Sequence, residues 1–298
     1  MSPDGAVAIE IAGARLKAVP SDPSIKLGLS ATAQAFACET SSPDILATVG
    51  TGDLSRQSFG QRLLFDSGSL WQLWDDGDAG GSILRLASPF FGPTPYKTIR
   101  LNAAWTRAEM TMHTGYTHAR TGQGALDPFE YPLDELLITQ WLSRGRGLEL
   151  HACGIVDEQG QGYIFCGQSG AGKSTTARSW LSVKPGTVLS DDRIVVRFED
   201  GRFWMYGTPW HGEAALATAM RAPLAAILLL RQAPRARLVK IAPVQAVARL
   251  LACAFFPLYD RAAIGFGMEC ASHLVGEVPC LELELDRSPS FLRLLPTI

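Results

Sequence analysis

The sequence predicts an α/β (α+β) protein in two parts, a β-rich segment over residues 1–130 and a core built round a phosphate-binding loop over 131–298. Three observations lead there. The stretch "CGQSGAGKSTTARSW" (166–180) sets three glycines, a lysine and several hydroxyls between an apolar run and a run with helical spacing. Before residue 130, apolar and polar residues alternate between turn clusters such as "DDGDAGGS" (75–82) and "FGPTPY" (91–96). After Tyr131, helical spacing and short apolar runs take turns, the pattern of a sheet with helices packed on it.

In the first part, Val7, Ile9 and Ile11 alternate with smaller or polar residues, as do the residues around Leu70, Gln72 and Trp74. Further strand-like runs lie at Ser82–Leu86 and Thr98–Met112. Pro20–Pro23 and Ser41–Pro43 mark loops, and the polar stretch 113–128 reads as a linker or mobile loop. Trp71, Trp74 and Trp105 are expected in the core, and His113 and His118 on the surface of the polar loop.

In the second part, Leu133, Leu136, Leu137, Trp141 and Leu142 share a helical face, with Asp134 and Glu135 in the first turn. Strands are expected at Leu148–Val156 and Gly162–Cys166, then the glycine loop and a helix to Val183, then a short strand at Thr187–Leu189. A hairpin joins Ile194–Arg197 to Phe203–Tyr206. Leu224–Leu230 and Cys280–Leu285 read as strands, and Pro243–Ala252 and Ala262–Leu274 as helices, with His273 on a helix face. Arg231, Arg235 and Arg237 form a basic cluster read as a solvated loop.

Composition bounds the function. Apolar residues make up 47% and charged residues 19% of the 298, a globular balance. A net charge of −2 gives no general attraction to nucleic acid or to an anionic membrane. Six cysteines without a C-x-x-C are expected as free thiols in a reducing compartment. The N-terminus "MSPDGAVAIEIAGARLK" lacks the basic flank and apolar core of a secretory signal, and the apolar window Pro223–Leu230 is too short to cross a bilayer. A cytoplasmic location follows as the expectation.

The loop matches G-x-x-x-x-G-K-[ST] at Gly167, Gly172, Lys173 and Ser174, with Gln168, Ser169, Gly170 and Ala171 inside it and Thr175 after it. Glycines let the backbone wrap an anion so that successive N–H groups point inward. The helix that starts near Lys173 adds the positive end of its dipole. Lys173 supplies a full charge for the terminal phosphates of a nucleotide, and Ser174 a hydroxyl for Mg²⁺. A nucleotide and Mg²⁺ are therefore expected here, ATP being the nucleotide of the kinase reading below.

Motors, switches and kinases all use such a loop, so "LSDDR" (189–193) discriminates. It returns to the loop's edge of the sheet after one helix, a turn and a short strand. Adjacent residues on an extended backbone point to opposite sides, so one of Asp191 and Asp192 can face a metal while the other faces another group. That division suits phosphoryl transfer to a hydroxyl, which needs a metal ligand and a proton acceptor.

With "LHACGIV" (150–156), "GQSGAGKST" and "LSDDR" together, residues 148–290 resemble the HPr kinase/phosphorylase family, and more closely its smaller HPr-kinase-related members. Some of these belong to gene clusters for modified peptides, including lasso peptides, and some phosphorylate peptide serines. The resemblance implies an HPr kinase/PEP carboxykinase-like core in which the loop sits in a mixed, strongly bent sheet. It places His151 near the terminal phosphate, makes Asp191 the catalytic base and lets Asp192 help hold the metal. The family's E-I-R-G-L-G-like run is missing. "GTPWHGE" (207–213) occupies that region, so Glu213 is the candidate metal-associated carboxylate, with His211 or Trp210 lining the site. Reverse phosphorylase activity and HPr as substrate are not expected.

The implied activity is an ATP-dependent kinase acting on a serine of a peptide or protein. The alternatives are a kinase for a small hydroxylated metabolite and a nucleotide-binding regulatory module without chemistry. Guanine-specific switches need [NT]-K-x-D, and the single asparagine, Asn102, sits in no such tetrapeptide; the transporter L-S-G-G-Q is absent too. A PEP carboxykinase reaction would need further metal ligands and a carboxylate-binding arginine. The β-rich part is expected to shape acceptor entry or to bind a leader segment. Self-association into a homo-oligomer stays open at this stage.

Overall fold

The computed structural model describes residues 5–55, 62–77, 80–92, 94–116, 125–183, 185–286 and 289–294. They form a mixed α/β protein of two compact units, Met1–Asp134 and Glu135–Ile298, each with its own mixed sheet. His118, expected on the polar loop, lies outside the described residues.

The first unit holds β1 (Val7–Ile11), β2 (Ala14–Pro20), the helical turn α1 (Ala31–Gln34), β3 (Ile45–Gly52), β4 (Arg62–Asp66), β5 (Trp71–Asp75), β6 (Ser82–Leu86), β7 (Lys97–Leu101) and β8 (Arg107–His113). Their order across the sheet is β1-β2-β3-β8-β7-β6-β5-β4. The β2–β3 and β3–β8 pairs are parallel, and the neighbours along the rest of the sheet are antiparallel. Alternation does what the period-two pattern requires: Ala14, Leu16 and Ala18 of β2 are fully buried. The run expected as one strand over Thr98–Met112 is a hairpin instead. Asn102 Oδ1 accepts the Thr106 and Arg107 N–H groups at 2.8 and 3.1 Å, and Trp105 takes φ 53°, which turns the chain. Trp105 is buried, whereas Trp71 and Trp74 are half-buried on the sheet, Trp71 stacked on Phe65.

The second unit follows α2 (Leu133–Leu142) with β9 (Leu148–Val156), β10 (Gly162–Cys166), α3 (Lys173–Val183), β11 (Thr187–Ser190), β12 (Arg193–Glu199), β13 (Arg202–Tyr206), β14 (Arg221–Gln232), β15 (Arg237–Lys240), α4 (Pro243–Leu251), β16 (Ala254–Phe255), α5 (Arg261–Glu277) and β17 (Cys280–Leu285). The sheet runs β10-β9-β12-β13-β14-β17-β15, with β11 and β16 also on β9. β9 and β14 change partners part-way. Residues 148–151 of β9 pair with β12 and residues 152–156 with β10, while β14 passes from β13 to β10.

Both faces of this sheet are covered, which explains the unbroken apolar runs of β9 and β14. Cys153, Ile155, Phe165 and Leu228 pack with Ala177 and Trp180 of α3 on one face. Leu150, Ala152, Ile164 and Leu229 pack with Ala246 of α4 and Leu274 of α5 on the other. α4 opens on a proline at its first position, where the missing N–H costs nothing. α5 is capped by Asp260, whose Oδ1 accepts the Ala262 and Ala263 N–H groups. His273 on α5 lies against the rings of Phe198 and Phe203. Among the described residues no helix is long and apolar enough to cross a membrane.

Candidate active site

The turn between β10 and α3 has the shape its glycines allow. Gly170 and Gly172 take φ 78° and 111°, the latter a conformation that a side chain would strain. α3 starts at Lys173, and Gly172 before it has no side chain with which to cap the helix. Among the described residues, the N–H groups of Ser169, Gly170, Gly172 and Ser174 have no main-chain acceptor. Unsatisfied donors at a helix start are what an anion binds. Gln232 Nε2 steadies the loop by donating to Gly170 O at 2.8 Å.

Lys173 is buried and folds back on the loop, its Nζ donating to Gly167 O at 2.8 Å and Gln168 O at 3.2 Å. Burial lowers its pKa, and the charge of Asp192 opposes that shift. Ser174 is half-buried and Thr175 exposed, both at the open end of the helix. Two cavities flank the loop. One of about 420 Å³ is lined by Gly167, Leu229, Arg249 and Cys253, and one of about 670 Å³ by Thr175, Ser179, Pro234 and Phe291.

β11 delivers the two aspartates to the same end of the sheet. Ser190 forms the turn: its Oγ donates to Trp210 O at 3.0 Å and accepts the Asp192 and Arg193 N–H groups at 3.2 and 3.1 Å. The carboxylates then diverge. Asp191 is buried and turned to the loop after β13, accepting N–H bonds from Gly212 (2.9 Å), Ala214 (3.0 Å) and Leu216 (3.4 Å). Asp192 is half-buried, and His151 Nε2 lies 3.0 Å from its Oδ1. Arg193 holds the other oxygen of Asp192. Burial pushes the Asp192 pKa up, but the His151 hydrogen bond and the charges of Arg193, His151 and Lys173 together hold it below the ordinary value.

Lys173, Asp192 and His151 are therefore brought together, with Asp191 on the far side of the turn. Glu213, His211 and Trp210 lie on the segment that meets Asp191. Glu213 and His211 are exposed and Trp210 is buried. Among the described residues no group of three or more His, Cys, Asp or Glu side chains is placed to hold a metal ion. Mg²⁺ in nucleotide sites takes one or two protein oxygens and completes its shell with phosphates and water, so Ser174 and Asp192 fit it without such a cage.

Behind Asp192 lies a group that the sequence motifs did not single out. Arg193 bonds Glu135 at 3.1 Å, reaches Glu149 at 3.5 Å and stacks over Phe255 at 4.3 Å. Glu149 is fully buried, and burial followed by the Glu135 charge raises its pKa well above the usual carboxylate range. The available signal was a charged residue inside the apolar run "LELHACGIV". The basic cluster of β14 and β15 proves internally paired: Arg231 bonds Glu282 at 2.8 Å and also Glu284, and Arg237 bonds Glu284.

No family model matches the chain, and no curated protein matches it. Among solved structures, it is similar to the Hpr(Ser) kinase/phosphatase from Coxiella burnetii, with 13% identity over 49% of this chain and 93% of that one, at a TM-score of 0.28.

Proposed function

We propose that the chain is an ATP-dependent kinase of HPr kinase-like fold that transfers the γ-phosphate of ATP to a serine hydroxyl of a peptide or protein. The observation that carries this is the approach of Lys173 at the start of α3, Asp192 just after β11 and His151 in the middle of β9, with the Asp192–His151 contact at 3.0 Å. The loop N–H groups and Lys173 take the phosphates, Lys173 exchanging the Gly167 and Gln168 carbonyls for phosphate oxygens. Mg²⁺, held by Ser174 and Asp192, would neutralise charge on the transferring group.

The acceptor proton goes to His151, which Asp192 holds in place through the 3.0 Å contact. Asp191, with both oxygens engaged by main-chain N–H groups, is assigned to fixing the 212–216 segment rather than to proton transfer. The test is label transfer from γ-labelled ATP to serine peptides and to small hydroxylated metabolites, with Asp192→Asn as control. Label on a peptide serine supports the assignment, label on a metabolite alone moves the acceptor class, and ATP binding without any transfer supports a regulatory module.

A further inference from the structure

Cys166 and Cys253 meet behind the phosphate loop, where β9 changes partners. Cys166 ends β10 opposite Ala152, and its Sγ donates to His151 O at 3.8 Å. Cys253 stands just before β16, and its carbonyl accepts the His151 N–H at 2.7 Å. The main chain of His151 thus touches both residues along one edge of β9. The two side chains share one core cluster and line the cavity of about 420 Å³ beside Gly167 and Arg249.

Their environment separates them from the other thiols of this unit. The neighbouring Cys166 thiol, with Lys173 and Arg249 adding to its effect against burial, brings the Cys253 pKa down to about 7. Cys166 is raised in turn by Cys253 and by burial. Burial pushes Cys153, Cys270 and Cys280 up instead. Neither Cys166 nor Cys253 has a part in the proposed phosphoryl transfer.

We propose that Cys166 and Cys253 are a peroxide-oxidised thiol pair whose disulfide shuts the adjoining phosphate loop to nucleotide. The Cys253 thiolate attacks the O–O bond of a peroxide: an S–O bond forms, the O–O bond breaks, and the leaving hydroxide is protonated to water. Cys166 then attacks the sulfenyl sulfur, forming S–S and breaking S–O, and its proton leaves with the second water. The two sulfurs supply the two electrons that reduce the peroxide. Closing S–S to about 2 Å ties Cys166, the residue before Gly167, to the segment after α4 and draws the walls of the cavity together. The effect on nucleotide rests on the proposed ATP site; the thiol pair itself does not.

Reduced full-length protein is treated with hydrogen peroxide, alkylated and digested for disulfide mapping, with ATP affinity measured by calorimetry before, after, and after dithiothreitol. The expected result is a Cys166–Cys253 linked peptide and a loss of ATP affinity of about tenfold or more, both reversed by dithiothreitol. Cys253→Ser, or Cys166→Ser if the first fails to fold, keeps its ATP affinity under peroxide. Linkage through other cysteines, or Cys253 oxidised only to sulfinic acid, overturns the pair. A linked peptide with unchanged affinity overturns the regulatory half. Reduced protein that binds no ATP defeats the nucleotide site instead, and the peptide map still decides on the thiols.

Discussion

The Gly212 main-chain N–H donates to Asp191 Oδ1 at 2.9 Å, and a Cβ at position 212 would stand 2.9 Å from Asp191 Oδ2. Two segments far apart in the chain are joined through one buried carboxylate. Asp191→Asn turns one acceptor oxygen into a donor facing N–H groups, and should lower stability by about 1–3 kcal/mol. Gly212→Ala should destabilise in the same direction by crowding the carboxylate. Chemical denaturation measures both, and an Asp191→Asn protein as stable as wild type would remove this anchoring role.

Asp192→Asn should leave ATP binding intact, or tighten it as repulsion from the phosphates falls. Label transfer should drop by roughly 10²–10⁴, the range for disabling proton transfer to a positioned group, here the His151 that Asp192 holds. The depressed Asp192 pKa sets the acid limb: the group contributes stability above its ordinary value of 3.8, lost as pH falls through its lower folded value. A mutant that transfers phosphate at the wild-type rate would dismiss Asp192 from the mechanism.

Lys173→Ala removes the cation that now rests on the loop carbonyls. Loss of a charge-assisted phosphate contact should weaken ATP binding by about 2–4 kcal/mol. Calorimetric titration of ATP with Mg²⁺ checks this. Unchanged affinity would take the loop out of the mechanism.

Glu149→Gln addresses the buried carboxyl behind the site. With its folded pKa raised above 4.5, the native state binds more protons than the unfolded chain between 4.5 and the raised value, so wild-type stability falls as pH climbs through that window. The glutamine variant lacks this slope, so its stability relative to wild type should rise as pH climbs above 4.5. Parallel pH-dependent slopes would show that Glu149 does not hold its proton.

The glycine turn between β10 and α3 was legible because three glycines stand between an apolar run and a run with helical spacing. β9, β10 and β14 were legible because strands covered on both faces read as apolar runs. The bend at Asn102–Thr106 was not, since no glycine or proline marks it and one asparagine side chain forms the turn. β15 and β16 are short and lack a distinctive pattern. The opposite facing of Asp191 and Asp192 follows from an extended backbone, but which one meets Lys173 depends on N–H groups that return from residues 212–216.

β9 is gripped from both sides at its midpoint: the His151 N–H goes to Cys253 O at 2.7 Å and the Ala152 N–H to Asp192 O at 3.0 Å. Neither proton can meet solvent without parting β9 from the chain on one of its sides. Deuterium should therefore enter these two amides only when the whole second unit opens, on the slowest clock the unit has. The Ser169 and Gly170 amides, with no main-chain acceptor among the described residues, should label almost at once and slow only when an anion occupies them. His151 thus hangs from the strand expected to come apart last, beside a glycine turn whose amides are already open.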